Sequence, residues 1–349
     1  MIPAAQFFSA CPGRCGTHGA FSPSVRAAVR FSFSDGAFRI PASSSASVFG
    51  EGRMRQAFPG RSMMAGAKRQ TGINSCILKK EDPAVNIGII GYGSMGKMLT
   101  DRFTDSGSGS LYVANRTQEK LSGISKSVTV CRSNAELASC SDIIFLCVRP
   151  ADLRTVLEEI RADLKDSSLI VSLNGSISFD QIGKLVRHKT AKVIPSVTAE
   201  INRSETLVCF NELARASDRK TLKQLLGCFG NVIELPEKEM GMGSELVSCM
   251  PGFIASIFDV LCRAAEKHTD LPEDQIIRMV LSTMCATGEL MLEKGMSFED
   301  VVSRVATKGG ITEEGTDVIY QRFPETAELL FEKTLEKRKM TAQQAEKMF

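Results

Sequence analysis

The chain has 349 residues, 43% hydrophobic and 24% charged, which is ordinary globular material with mass enough for two domains. Its formal charge of +3 hides an asymmetry: residues 1–80 hold eleven of the 43 Lys/Arg but only two of the 40 acids, leaving 32 basic against 38 acidic residues in 81–349. A mildly acidic body without basic clusters interleaved with aromatics excludes a nucleic-acid partner and favours a small molecule; no uninterrupted apolar run reaches the roughly 20 residues that span a bilayer, so a soluble protein without a membrane partner is expected.

Residues 1–80 carry eleven serines and eight arginines and cannot easily bury a core, so they are expected to be a disordered leader. Two readings stay open for it: an organellar transit peptide, or a start assigned upstream of Met54, Met63 or Met64, which leaves the protein cytoplasmic. The eleven cysteines follow no repeated spacing. The nearest metal-like pair, Cys11 and Cys15, has no matching second pair, so no metal site is expected. Cys147 and Cys209 read as small buried hydrophobes.

From residue 86 short apolar runs alternate with amphipathic stretches. Asn86–Ile90, Leu111–Ala114, Asp142–Val148, Ser168–Leu173 and Ala191–Ile194 are predicted strands in the rhythm of βαβ units around a parallel sheet. Thr206–Phe210 and Asn231–Leu235, separated by a helical stretch at Ala216–Gly227, are predicted to extend that sheet at one edge. After Pro236 apolar residues recur at three and four through Met240–Lys267, Pro272–Lys294, Ser297–Val305 and Ile311–Met348, an all-helical second domain interrupted at Gly309-Gly310. The predicted architecture is α/β: a doubly wound Rossmann-type domain over 86–236 and a helical domain over 237–349.

The first predicted strand runs into Gly91-Tyr92-Gly93-Ser94-Met95-Gly96, a GxGxxG placed between strand and helix, the context in which this motif binds a dinucleotide. Gly91 permits the turn, Gly93 lets amides approach a pyrophosphate, and Gly96 lets helix pack on strand, with the helix N-terminus facing the phosphates. About twenty residues on, where an NAD site carries an acid, stands Asn115-Arg116-Thr117, a set that suits a 2'-phosphate. NADP(H) is therefore the expected cofactor, with NAD(H) the second choice; the alternative for Arg116 is a solvated helix-start residue.

Val148-Arg149-Pro150, Ile194-Pro195-Ser196-Val197-Thr198 and Thr307-Lys308-Gly309-Gly310-Ile311-Thr312, taken with the glycine motif, resemble the pyrroline-5-carboxylate reductase family over residues 86 to about 340. The resemblance implies NADPH-dependent reduction of a cyclic imine, 1-pyrroline-5-carboxylate, to L-proline, and a helical domain that interlocks with a second subunit in a homodimer or larger homo-oligomer. It also implies that Gly309 and Gly310 offer backbone amides to the substrate carboxylate, that the Thr312 hydroxyl holds the imine nitrogen as the catalytic group, and that Val148, Arg149 and Pro150 line the nicotinamide side. For the glycine pair a plain helix-breaking turn is the alternative.

The chain departs from the family pattern at Met250, where a glycine is expected, at Lys308 for proline and at Ile311 for a small residue. These changes resemble a divergent branch that includes a late competence protein of Gram-positive bacteria. A reductase of another imine or keto compound and a non-catalytic dinucleotide sensor therefore stand beside the proline-forming enzyme.

Overall fold

The computed structural model describes residues 85–347; residues 1–80, expected as a leader and holding Cys11 and Cys15, and Met348 lie outside the described residues. Eight strands form one sheet: β1 Asn86–Ile90, β2 Ser110–Ala114, β3 Val128–Val130, β4 Ile143–Leu146, β5 Leu169–Ser172, β6 Thr190–Ile194, β7 Ser204–Phe210 and β8 Gly230–Glu234. Their order is β3-β2-β1-β4-β5-β6-β7-β8. The chain runs outward from β1 to β3 and crosses back to β4, so the strand order reverses between β1 and β4, where ligands of open α/β sheets bind.

Two features were not anticipated from sequence. The strand β3 is three residues long with only Val128 buried, too short to show a period. The pair β6–β7 is antiparallel. Residues 195–203 alone connect these strands, fewer than the dozen or so that a parallel crossover needs.

Helices cover both faces. One face packs α1 (Ser94–Ser106) and, further along the chain, α5 (Ala216–Leu226) on Ile87, Ile89, Phe145 and Val193. There Phe103 meets Phe145 and Phe229 at ring separations of 5.4 and 5.9 Å. The other face packs α2 (Asn134–Cys140), α3 (Pro150–Ile160) and α4 (Phe179–Leu185) on Ile90, Ile144, Leu146 and Ile170. A Cβ on Gly88 would lie 2.4 Å from Ser141 Oγ, so the sheet needs glycine there to let α2 approach.

The helical part begins with α6 (Met240–Ser244) and continues through a π-turn, Glu245–Cys249, into α7 (Met250–Ala265). Pro251 explains the widened turn: it has no N–H to return to the carbonyl four residues back. Then follow α8 (Glu273–Lys294), α9 (Phe298–Val305) and the 36-residue α10 (Ile311–Glu346). The end of α10 docks on the sheet domain, with Ala345 buried beside Ile182 and Val186. There Arg338 also pairs with Glu245 at 2.7 Å.

Very little of α7, α8 and α10 is buried within one chain: Val260, Met279, Leu292, Val318, Ile319 and Tyr320 are all exposed. The sequence expectation about bilayer-length segments needs correcting here. The continuous helical stretch Glu237–His268 is long and apolar enough, by length and composition, to cross a membrane. Counting uninterrupted apolar residues missed it because a helix of that length tolerates interspersed Ser, Gly and Asp.

Candidate active site

The glycine loop follows β1 at the strand-order reversal. Gly91 has φ +97, and a Cβ on it would lie 2.6 Å from the Cys147 carbonyl; its N–H donates to the Ala114 carbonyl at 2.9 Å. Gly96 is more constrained, since its Cβ would stand 1.9 Å from the Gly91 carbonyl. At Gly93 a Cβ would meet nothing within 4 Å, so the space in front of the loop is open. The helix α1 begins at this N-cap with no side-chain cap and no acid in its first turn. The first-turn amides at Ser94, Met95 and Gly96 therefore present N–H groups and the positive end of the helix dipole to whatever enters, which suits a pyrophosphate.

The residues expected beside the ribose lie next to this loop. Asn115 is fixed from both sides: its Oδ1 accepts from Tyr92 N–H at 2.9 Å, and its Nδ2 donates to the Thr117 carbonyl at 2.7 Å. Burial, with a smaller contribution from Asp101, pushes the Tyr92 phenol up, so it stays neutral. Arg116 is 82% exposed and reaches Asp152 Oδ1 at 3.5 Å. Arg149, the N-cap of α3 with Pro150 following, donates from Nε to the other oxygen of Asp152 at 3.1 Å.

Arg149 was expected on the nicotinamide side with Val148; its guanidinium donates to Asp152, the carboxylate that Arg116 also reaches. Asp152 is the residue that groups them, three positions after Arg149, and that spacing was the available signal. Val148 stays at the end of β4, where its carbonyl accepts from Asn174 Nδ2 at 3.1 Å. Burial pushes up the thiols of Cys147, just beyond β4, and of Cys209, on β7, the latter to about 11, so both are inert small side chains.

The loop before α10 is built differently from the expectation of free amides. Gly309, at φ +73, donates its N–H to Glu313 Oε2 at 2.6 Å, and Gly310 donates to the Thr307 carbonyl at 2.8 Å. Both glycine donors are thus spent inside the loop. A Cβ on Gly310 would stand 2.4 Å from Thr307 Oγ1, so this tight turn requires glycine. Lys308 is exposed and Ile311 almost fully so.

Nor does one chain bring this loop to its own glycine motif. Thr312 and Arg338 lie on the same helix 26 residues apart, roughly 40 Å at about 1.5 Å per residue, and it is the far end, with Arg338 beside Gly175 and Ala345 in the cluster of Ile182 and Val186, that meets the sheet domain.

Comparison with known proteins follows this division. Residues 86–175 match the family model described as NADP oxidoreductase, coenzyme F420-dependent, and residues 237–341 match the one described as pyrroline-5-carboxylate reductase dimerisation. The chain is 30% identical to pyrroline-5-carboxylate reductase 3 of Bacillus subtilis (strain 168) over 267 residues, 75% of this chain and 98% of that one. It is 25% identical to ComE operon protein 4 of the same organism over 72% of this chain and 94% of that one. Among solved structures, the pyrroline carboxylate reductase of Plasmodium falciparum with NADP bound superposes with a TM-score of 0.65 at 20% identity, over 76% of this chain and 98% of that one.

Proposed function

The chain belongs to the pyrroline-5-carboxylate reductase family, and from that membership we propose that it reduces 1-pyrroline-5-carboxylate to L-proline with NADPH. The observation that carries the cofactor half is the open, uncapped amide cradle at Gly93–Gly96 with Arg116 beside it. Gly91, Gly93 and Gly96 hold the pyrophosphate. Asn115, Arg116 and Thr117 take the ribose 2'-phosphate, with the exposed Arg116 free to leave a surface ion pair that is worth little in water.

When bound, the reduced nicotinamide supplies the hydride to the imine carbon. The chain's own contribution is placement. Reduction of an imine needs a held substrate and a proton for the ring nitrogen, and calls for no side-chain nucleophile. Thr312 of a second copy hydrogen-bonds that nitrogen, because the length of α10 keeps each chain's loop away from its own cofactor. The apolar faces of α7, α8 and α10 form the contact between copies and exclude water from the site.

A second reading, favoured by Met250 at the start of α7 and by the amides of Gly309 and Gly310 that donate within their own turn, keeps the cofactor but changes the imine. A third, a dinucleotide-binding protein without turnover, draws on the likeness to ComE operon protein 4. One assay separates them: oxidation of NADPH by the purified chain, followed by absorbance, with and without 1-pyrroline-5-carboxylate. Substrate-dependent oxidation is expected. Tight NADPH binding without it, across a panel of cyclic imines, would remove the enzyme reading; oxidation with a different imine alone would establish the second.

A further inference from the structure

We infer that Arg149 is a second residue for the 2'-phosphate of the dinucleotide, and that Asp152 is the resident counter-ion which this phosphate displaces; the inference rests on the NADPH reading above. Its starting point is that one carboxylate serves two arginines. Arg116 Nη1 lies 3.5 Å from Asp152 Oδ1, and Arg149 Nε donates to Oδ2 at 3.1 Å. Two positive charges therefore share one negative one at the mouth of the cofactor site.

The sheet brings these residues together. Strands β2 and β4 both pair with β1 in parallel, and Ile90 at the end of β1 lies level with Ala114 on one side and Leu146 on the other. Arg116 follows Ala114 by two residues and Arg149 follows Leu146 by three, so both leave the sheet at its carboxyl edge, on either side of the glycine loop. Neighbouring strands lie about 4.8 Å apart, which puts β2 and β4 about 10 Å from each other, a gap that two arginine side chains close. Pro150 sets the approach from the β4 side: a residue before proline is held extended, and Arg149 has φ −66 and ψ 154. A phosphate, with three acceptor oxygens, can bond both guanidinium groups at once.

The helix dipole favours an acid in the first turn of α3, which accounts for a carboxylate at Asp152 but not for an arginine on each of its oxygens. Stability does not account for them either, because both arginines are exposed and such pairs contribute little in water. What Asp152 does is keep two like charges together in the free protein. Among the described residues the recorded hydrogen bond of Arg149 uses Nε alone, so its terminal N–H groups remain for a ligand. A ribose 2'-phosphate carries close to two negative charges and takes over both arginines, and from then on the neighbouring carboxylate repels it. Removal of Arg149 and removal of the Asp152 charge therefore act on phosphate binding in opposite directions, which a merely structural role for the pair does not produce.

The test uses the full chain and two pairs of ligands that differ by the 2'-phosphate: NADPH with NADH, and adenosine 2',5'-bisphosphate with adenosine 5'-monophosphate. Each Kd is read by calorimetry, and no imine is needed. R149A is expected to raise the Kd of the phosphate-bearing member of each pair about fivefold or more, and D152N to lower it about twofold or more, in the range of exposed charge pairs, with the larger part of each effect absent from the other member. R149Q carries the same comparison should R149A fail to fold. A loss in R149A shared equally by both members would make Arg149 a structural residue, and no loss would make it uninvolved. A Kd for NADPH raised by D152N would make Asp152 a support for the arginines and not their displaced partner. Each of these results overturns the inference, while a native preference for NADPH leaves the cofactor reading standing. A native chain that binds both members of each pair equally would overturn both.

Discussion

At Arg116 the physical argument comes down to one guanidinium and its alternatives. The side chain is 82% exposed, and its recorded partner is Asp152, which it shares with Arg149. Exposed ion pairs contribute little, so a phosphate with close to two negative charges competes for the arginine at small cost. Arg116→Ala is expected to raise KM for NADPH about tenfold or more while leaving KM for NADH within a factor of two or so, the asymmetry that follows from losing a charge-assisted hydrogen bond to a group NADH lacks. Steady-state kinetics with both cofactors check this, and an equal effect on the two would show that Arg116 is a solvated helix-start residue.

The helix α10 works at two separated places. Its amino end carries Thr312 behind a turn that only glycine can make at Gly310, and its far end carries Arg338 against the sheet domain. On the proposal that Thr312 holds the substrate and not the dinucleotide, Thr312→Ala is expected to lower kcat about tenfold or more, in the range of positioned hydroxyl groups, and to leave the Kd for NADPH unchanged. Stopped-flow turnover together with fluorescence titration of NADPH separates the two quantities. An unchanged kcat would take Thr312 out of the mechanism.

For the molecule as a whole, the exposed apolar residues on α7, α8 and α10 are more than a solitary soluble chain leaves open, and the match of 237–341 to a dimerisation domain accounts for them. Light scattering is expected to give a dimer or a larger closed assembly, and Val318→Glu, at an exposed apolar position on α10, to weaken it and lower NADPH oxidation together. A monomer that retains full turnover would contradict a site shared between copies. The stretch Glu237–His268, long and apolar enough to cross a membrane, lies within the segment matched to the dimerisation model, and a second copy is expected to cover its apolar surface.

What the sequence determined was local. Gly91, Gly93 and Gly96 are legible because turn, amide approach and helix packing each demand glycine at a fixed offset, and strands such as Asn86–Ile90 are legible because both faces are buried and the apolar run is unbroken. The family pattern around Gly309–Thr312 was equally readable as a string. Contacts between distant segments were not. The antiparallel β6–β7 pair depends on how far residues 195–203 can reach, the turn of Arg149 toward Asp152 on a rotamer, and the spent amides of Gly309 and Gly310 on how the turn closes over Glu313. The pairing of Glu245 with Arg338, 93 positions apart, left no trace in spacing or composition. Tertiary structure alone decided these because each is set by which surfaces come together, and sequence periodicity reports only which surface an element offers.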